Sequence, residues 1–130
     1  MRFVLLDPAF KRIVFLLWCL GWLAVLGFGL QPSPSLPLEL SDKAWHFLGY
    51  AGMTAAIAGF CHDRREVLLW AALAVLIGLM VELAQHLVPS RSMEFADAVA
   101  NTLGAASGTL VALAWLAVVI EPLRRRAVPA

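Results

Sequence analysis

The sequence is dominated by hydrocarbon runs too long for a small soluble domain to hide. Val67–Met80 is fourteen consecutive residues without a charge. Four segments are apolar over lengths close to the roughly 20 residues of helix that cross a bilayer. They fall at about Phe10–Leu30, Ala44–Phe60, Val67–Val88 and Phe95–Ile120. The chain is 130 residues long, 62% hydrophobic and 15% charged, with a mean hydropathy of +0.82. A soluble domain carries about 25% charged residues, so this chain lacks the polar surface to face water all round. These features predict an all-α membrane protein: one domain, residues 1–130, folded as a compact bundle of four transmembrane helices.

Local signals punctuate those helices. Asp7-Pro8 places a capping carboxylate and a first-turn proline before the first helix. The stretch Gln31–Pro37 (QPSPSLP) ends it, because proline has no backbone N–H and stiffens the chain. Ser41, Asp63 and Ser92 are the expected N-caps of the second, third and fourth helices, with Asp63 and Glu66 spaced as a capping box. The first segment carries a basic n-region but no convincing small-x-small cleavage site, so it reads as a retained anchor. Cys19 and Cys61 fall at different depths, which argues against a disulfide and for packing roles.

Basic residues set the expected orientation. Arg2, Lys11, Arg12, Arg64, Arg65 and Arg124–Arg126 lie on one side and only Lys43 and Arg91 on the other, eight against two. Lys and Arg accumulate in cytoplasmic loops. Both termini are therefore expected in the cytoplasm, with the chain in the cytoplasmic (inner) cell membrane. A formal net charge of +1 gives no clustered basic face for nucleic acid.

With that orientation, three segments deliver polar side chains to the outer leaflet. Asp42, His46 and Tyr50 recur at i, i+4, i+8 on the second helix, with Lys43 beside them. Glu82, Gln85 and His86 share a face of the third. Asp97, Asn101, Gly104 and Gly108 share a face of the fourth, and Arg91 precedes it. At 1.5 Å per residue, Glu82 and Asn101 both lie roughly 10 Å below their helix ends. An ionised side chain at such depth costs at least about 2.5–3.5 kcal/mol unless it meets partners or water. Convergence into one polar layer follows. His86, one position beyond Gln85 and nearer the interface, is expected to stand aside. Gly104 and Gly108 are expected to let another helix approach closely, and Trp45, Trp70 and Trp115 to anchor at the interfaces.

These residues resemble a known family. DKAWHFLGY (Asp42–Tyr50), ELAQ (Glu82–Gln85) and RSMEFADAVANTLGAASG (Arg91–Gly108) are similar to the VanZ-like family, named for a teicoplanin-resistance protein. Its pattern falls here on Asp42, Lys43, His46, Tyr50, Glu82, Gln85, Arg91, Asp97, Asn101, Gly104 and Gly108. The resemblance implies a small multi-pass membrane protein associated with cell-envelope chemistry and, in the namesake, with glycopeptide resistance. It supplies no reaction.

Three functional readings stand together. The first is a membrane protein modifying a lipid-linked envelope component, with His46, Glu82 and Asp97 as acid–base candidates and Asp42, Lys43, Tyr50, Gln85, Arg91 and Asn101 as substrate-binding residues. Burial would raise the carboxylate pKa values, opposed by Lys43 or Arg91. No nucleophile stands out; Ser92 and Tyr50 belong to no recognisable triad or elbow. The second is a transport or binding module, since intramembrane carboxylates and histidines serve as relays. The third is an accessory subunit whose polar layer specifies helix pairing. Lys43 and Arg91 against Asp42, Glu82, Glu94 and Asp97 give the outer cluster a formal balance of −2. A divalent ion would offset that excess, yet no zinc or calcium spacing is present, so no metal site is assigned and the cofactor stays unknown. Expected partners are membrane lipids, a lipid-linked precursor, and a second copy or larger membrane complex.

Overall fold

The computed structural model describes residues 5, 7–30, 41–88 and 94–127, all in helices or the short turns between them. Helix α1 (Pro8–Gly29) starts where Asp7 Oδ1 accepts from the Ala9 N–H at 2.7 Å. Helix α2 (Asp42–Ala56) is capped by the Ser41 hydroxyl, which accepts from Ala44 N–H. A 3₁₀ turn, Ile57–Gly59, follows it. Helix α3 (Arg64–Gln85) is capped by Asp63, whose Oδ1 accepts from Glu66 N–H at 2.9 Å. The box closes one residue early: the Glu66 carboxylate takes the His62 N–H. Helix α4 (Phe95–Trp115) passes through a π turn, Leu116–Ile120, into α5 (Glu121–Ala127).

Among the described residues, three helices are long and apolar enough to cross a membrane: Pro8–Gly29, Arg64–Gln85 and the continuous Phe95–Arg126. The second expected span falls short. Its α-helix stops at 15 residues, because the chain tightens into i→i+3 bonding at Ile57 with Phe60 N–H on Ile57 O. The fourth helix runs further than expected. The chain stays helical through the π turn and past Pro122, so Arg124–Arg126 lie on α5 rather than beyond the helix. The cap of α4 is Glu94 rather than Ser92; Arg91 and Ser92 lie outside the described residues.

The α2–α4 pair is the most extensive contact, and two glycines make it. A Cβ on Gly104 would overlap the Phe47 carbonyl, and one on Gly108 would overlap Ala51 O and Thr54 Oγ1. The interface expected for Gly104 and Gly108 is therefore the α2 backbone itself. Elsewhere the core is aromatic: Phe15, Trp18, Phe60 and Trp70 pack with centroids 5.2–6.1 Å apart. Trp70, expected as an interface anchor, is instead held in this cluster, while Trp115 is exposed. Trp18 Nε1 donates to Met53 O at 2.8 Å, tying α1 to α2. Both cysteines are free thiols.

Helix direction alternates, so the start of α2, the end of α3 and the start of α4 share one end of the bundle. The end of α1 joins them, where Gln85 Nε2 donates to Gly29 O at 2.8 Å. Charge divides accordingly between this polar end and an opposite, arginine-rich end.

Candidate functional site

The polar end gathers its side chains into two linked branches. In the first, Asn101 Nδ2 donates to Glu82 Oε1 at 3.0 Å. Asn101 Oδ1 lies 3.0 Å from His46 Nδ1. A carboxylate only accepts, so the amide must turn its NH₂ to Glu82 and its oxygen to the histidine. That oxygen requires a proton on Nδ1. His46 Nε2 is then the free base of the ring, and it faces Asp42 Oδ2 at 3.8 Å on the rim. His46 Nδ1 is also 3.6 Å from Glu82 Oε1. In the second branch, Lys43 Nζ bridges Glu94 Oε2 at 2.8 Å and Asp97 Oδ1 at 3.5 Å.

Depth separates the members. Glu82 is 0% exposed, Asn101 2% and Asp97 4%, whereas the Lys43, Asp42 and Glu94 side chains are about half exposed. His46, with a side chain 10% exposed, stands between. The arrangement grades from a buried carboxylate, through a neutral amide and an imidazole, to an acidic rim. It can pass a proton between the rim and Nε2 while Glu82 and Asn101 hold the ring in place. Ligand atoms of Asp42, His46 and Asp97 lie within 4.8 Å of one another, so these three residues are the ones placed to share a cation.

Of the expected site residues, the structure brings together Asp42, Lys43, His46, Glu82, Asp97 and Asn101. It separates Tyr50 and Gln85 from them, while Arg91 lies outside the described residues. Tyr50 is buried in the core, edge-on to Trp22 at 5.3 Å and packed over Gly78. Its hydroxyl has no hydrogen-bond partner among the described residues. Gln85 is committed to the α1 carbonyl and acts as a tie between helices. His86, expected to stand aside, caps the end of α3 and is exposed. Glu94 enters the site through Lys43, a role that its expected place in the charge balance did not foretell. Its spacing of three from Asp97, on the start of a helix facing Lys43, was the available signal.

A family model described as VanZ/LLP1 matches residues 9–118. The chain belongs to the VanZ/LLP1 family. The match runs from the first turn of α1 to the π turn and so contains every described residue of the cluster. No curated protein and no solved structure matches the chain. Family membership and the three long apolar helices together make this VanZ/LLP1 member a multi-pass membrane protein.

Proposed function

We propose that this VanZ/LLP1 protein crosses the cell membrane four times with both termini in the cytoplasm, and that its outward-facing polar site binds or modifies the headgroup of a lipid-linked envelope component. The observation that carries this is the graded chain Glu82–Asn101–His46, which orients the imidazole base towards an accessible rim. A purely structural knot would leave no base at the mouth. His46 Nε2 takes or returns the proton, Glu82 and Asn101 position it, and Asp97 with Lys43 contacts the headgroup. Asp42, Glu94 and Asp97 make the rim rich in acceptors, which suits a headgroup bearing donors such as sugar hydroxyls or an amine.

Orientation is tested by single cysteines. Those placed at Ser35 and Ser90 react with an impermeant maleimide from outside intact cells, and one at Arg125 does not; the opposite pattern moves the site to the other leaflet. Ligand binding is tested by purifying the protein in mild detergent and identifying retained lipids by mass spectrometry. Wild type retains lipid-linked envelope precursors, and His46→Ala and Asp97→Ala lose them. Equal retention by all three proteins would sink the binding role. A contribution to teicoplanin resistance rests on family membership alone, and a wild-type-dependent change in the susceptibility of an expressing host tests it.

A second reading is an accessory subunit, favoured by the way the network joins α2, α3 and α4 with bonds to one another. Glu82→Gln divides the two. An amide oxygen still accepts from Asn101, so an accessory role survives, while acid–base work that needs the carboxylate does not.

A further inference from the structure

The opposite end of the bundle carries a second recognition surface. A cleft of about 390 Å³ opens between the start of α3 and the π turn, lined by Arg64, Arg65, Arg124, Asp63, Glu121 and Leu116, with His62 at its edge. Three guanidinium groups from two elements face one space. Two of them are anchored by one edge only. Arg64 Nε lies 3.5 Å from Glu121 Oε1, and Arg124 Nη1 donates to the His62 carbonyl. Arg65 is exposed and forms no ion pair among the described residues. Asp63 is occupied in capping α3. The first-turn N–H groups of α3 add partial positive charge.

Beside the same π turn lies an apolar groove of about 350 Å³ between α1, the end of α2 and α4, lined by Val14, Ala55, Gly59, Val111, Trp115 and Ile120. The π geometry links the two: Leu116 faces the basic cleft, while Trp115 and Ile120 face the groove. An arginine cluster next to a tail-sized apolar channel, at the end of a membrane bundle, matches one kind of molecule.

We infer that this end binds an anionic phospholipid from its own leaflet, with the phosphate against Arg64, Arg65 and Arg124 and one acyl chain in the apolar groove. Guanidinium forks suit phosphate oxygens, and basic pockets of this kind hold acidic headgroups. Free phosphate fits less well. With Asp63 and Glu121 in the lining, the cleft carries three positive and two negative groups, so the charge alone is weak and the acyl contact must supply the rest. Glu121 tempers the site by holding Arg64. The proposal goes beyond the reading of the polar end and shares no residue with it.

The test uses the full chain in nanodiscs of phosphatidylcholine doped with phosphatidylglycerol, with lipid enrichment around the protein read by native mass spectrometry. Wild type enriches phosphatidylglycerol over phosphatidylcholine. Arg65→Gln lowers the enrichment about fivefold, and Arg65→Gln with Arg124→Gln abolishes it. Glu121→Gln, which releases Arg64, raises it, an effect that a merely topological role for the arginines would not produce. Arg65 is exposed and its variant is expected to fold normally, checked by thermal unfolding. Enrichment that survives in the double variant, or falls in Glu121→Gln, would overturn the proposal. Competition by millimolar inorganic phosphate would overturn the lipid assignment in favour of a free anion; its failure to compete supports the lipid.

Discussion

The two ends of the bundle solve opposite problems with the same residue types. At the polar end, Glu82, Asn101 and Asp97 are buried and meet one another or Lys43. At the basic end, His62, Asp63 and Glu66 bond mostly within five residues of themselves, as caps of a helix start. Polar groups below a membrane surface must find tertiary partners because water is not available. Polar groups at a helix terminus in water need only local ones. The basic end has tertiary contacts too, Arg64 with Glu121 and Arg124 with the His62 carbonyl, but on side chains that are exposed or half-buried, whereas those of the polar end reach a fully buried carboxylate.

The strongest way to break the contrast is to separate the helices that build the polar end. Gly108→Leu or Gly104→Leu forces side-chain volume against the α2 backbone and is expected to cost about 3 kcal/mol or more. Thermal unfolding in detergent reads the loss. Gly52→Ala, with nothing within 4 Å of its added Cβ, serves as the silent control. Unchanged melting of both leucine variants would show that α2 and α4 do not meet this way.

Next is Glu82→Ala, which leaves Asn101 Nδ2 buried without this acceptor. It is expected to lose about 1–3 kcal/mol together with ligand retention. Glu82→Gln keeps the stability. Should the glutamine variant melt as low as the alanine variant, the carboxylate charge is itself structural and the graded-chain reading fails.

Smaller effects belong to the exposed groups. Lys43→Met breaks a half-exposed pair and is expected to change stability little, while weakening headgroup retention. His86→Ala should change neither property. At the basic end, burial pushes the Cys61 thiol up to about 12, and the residue is 1% exposed. Maleimide modification of Cys61 is therefore expected to stay slow between pH 7 and 9 and to become fast on unfolding in denaturant. Rapid labelling of the folded protein would mean that this end opens.

Local chemistry was legible in the sequence wherever one residue decides an outcome. Asp7, Ser41 and Asp63 cap the helices expected of them because their short side chains reach the first free N–H groups. The meeting of His46, Glu82 and Asn101 followed from helical phase, since an i, i+4 face and a shared depth leave few other partners. Features set by neighbours were not legible. Nothing in AIAGF separates an α-helix from the 3₁₀ turn that ends α2, and LAVVI carries no sign of a π turn. Tyr50 shares the phase of Asp42 and His46 but lies a further turn down, where Trp22 and Gly78 close over it. Gln85 looked like a site residue because its partner is a backbone carbonyl on α1, which has no sequence signature.

The shortness of α2 has a consequence for the lipid around it. Its 15 residues rise about 22 Å at 1.5 Å each, and the 3₁₀ turn adds about 6 Å, against a hydrocarbon slab of about 30 Å. The flanking helices are longer, and on the proposed four-span topology α2 with its turn falls short of the slab by only a few Å. A bilayer meets such a mismatch by thinning locally or by letting polar flanks sink. On that topology Asp42 and Lys43, at the start of α2, would sit level with the headgroups on the very helix that carries His46. A headgroup would then meet the imidazole by sinking along α2 by less than one helical turn, and not by being lifted out of its leaflet.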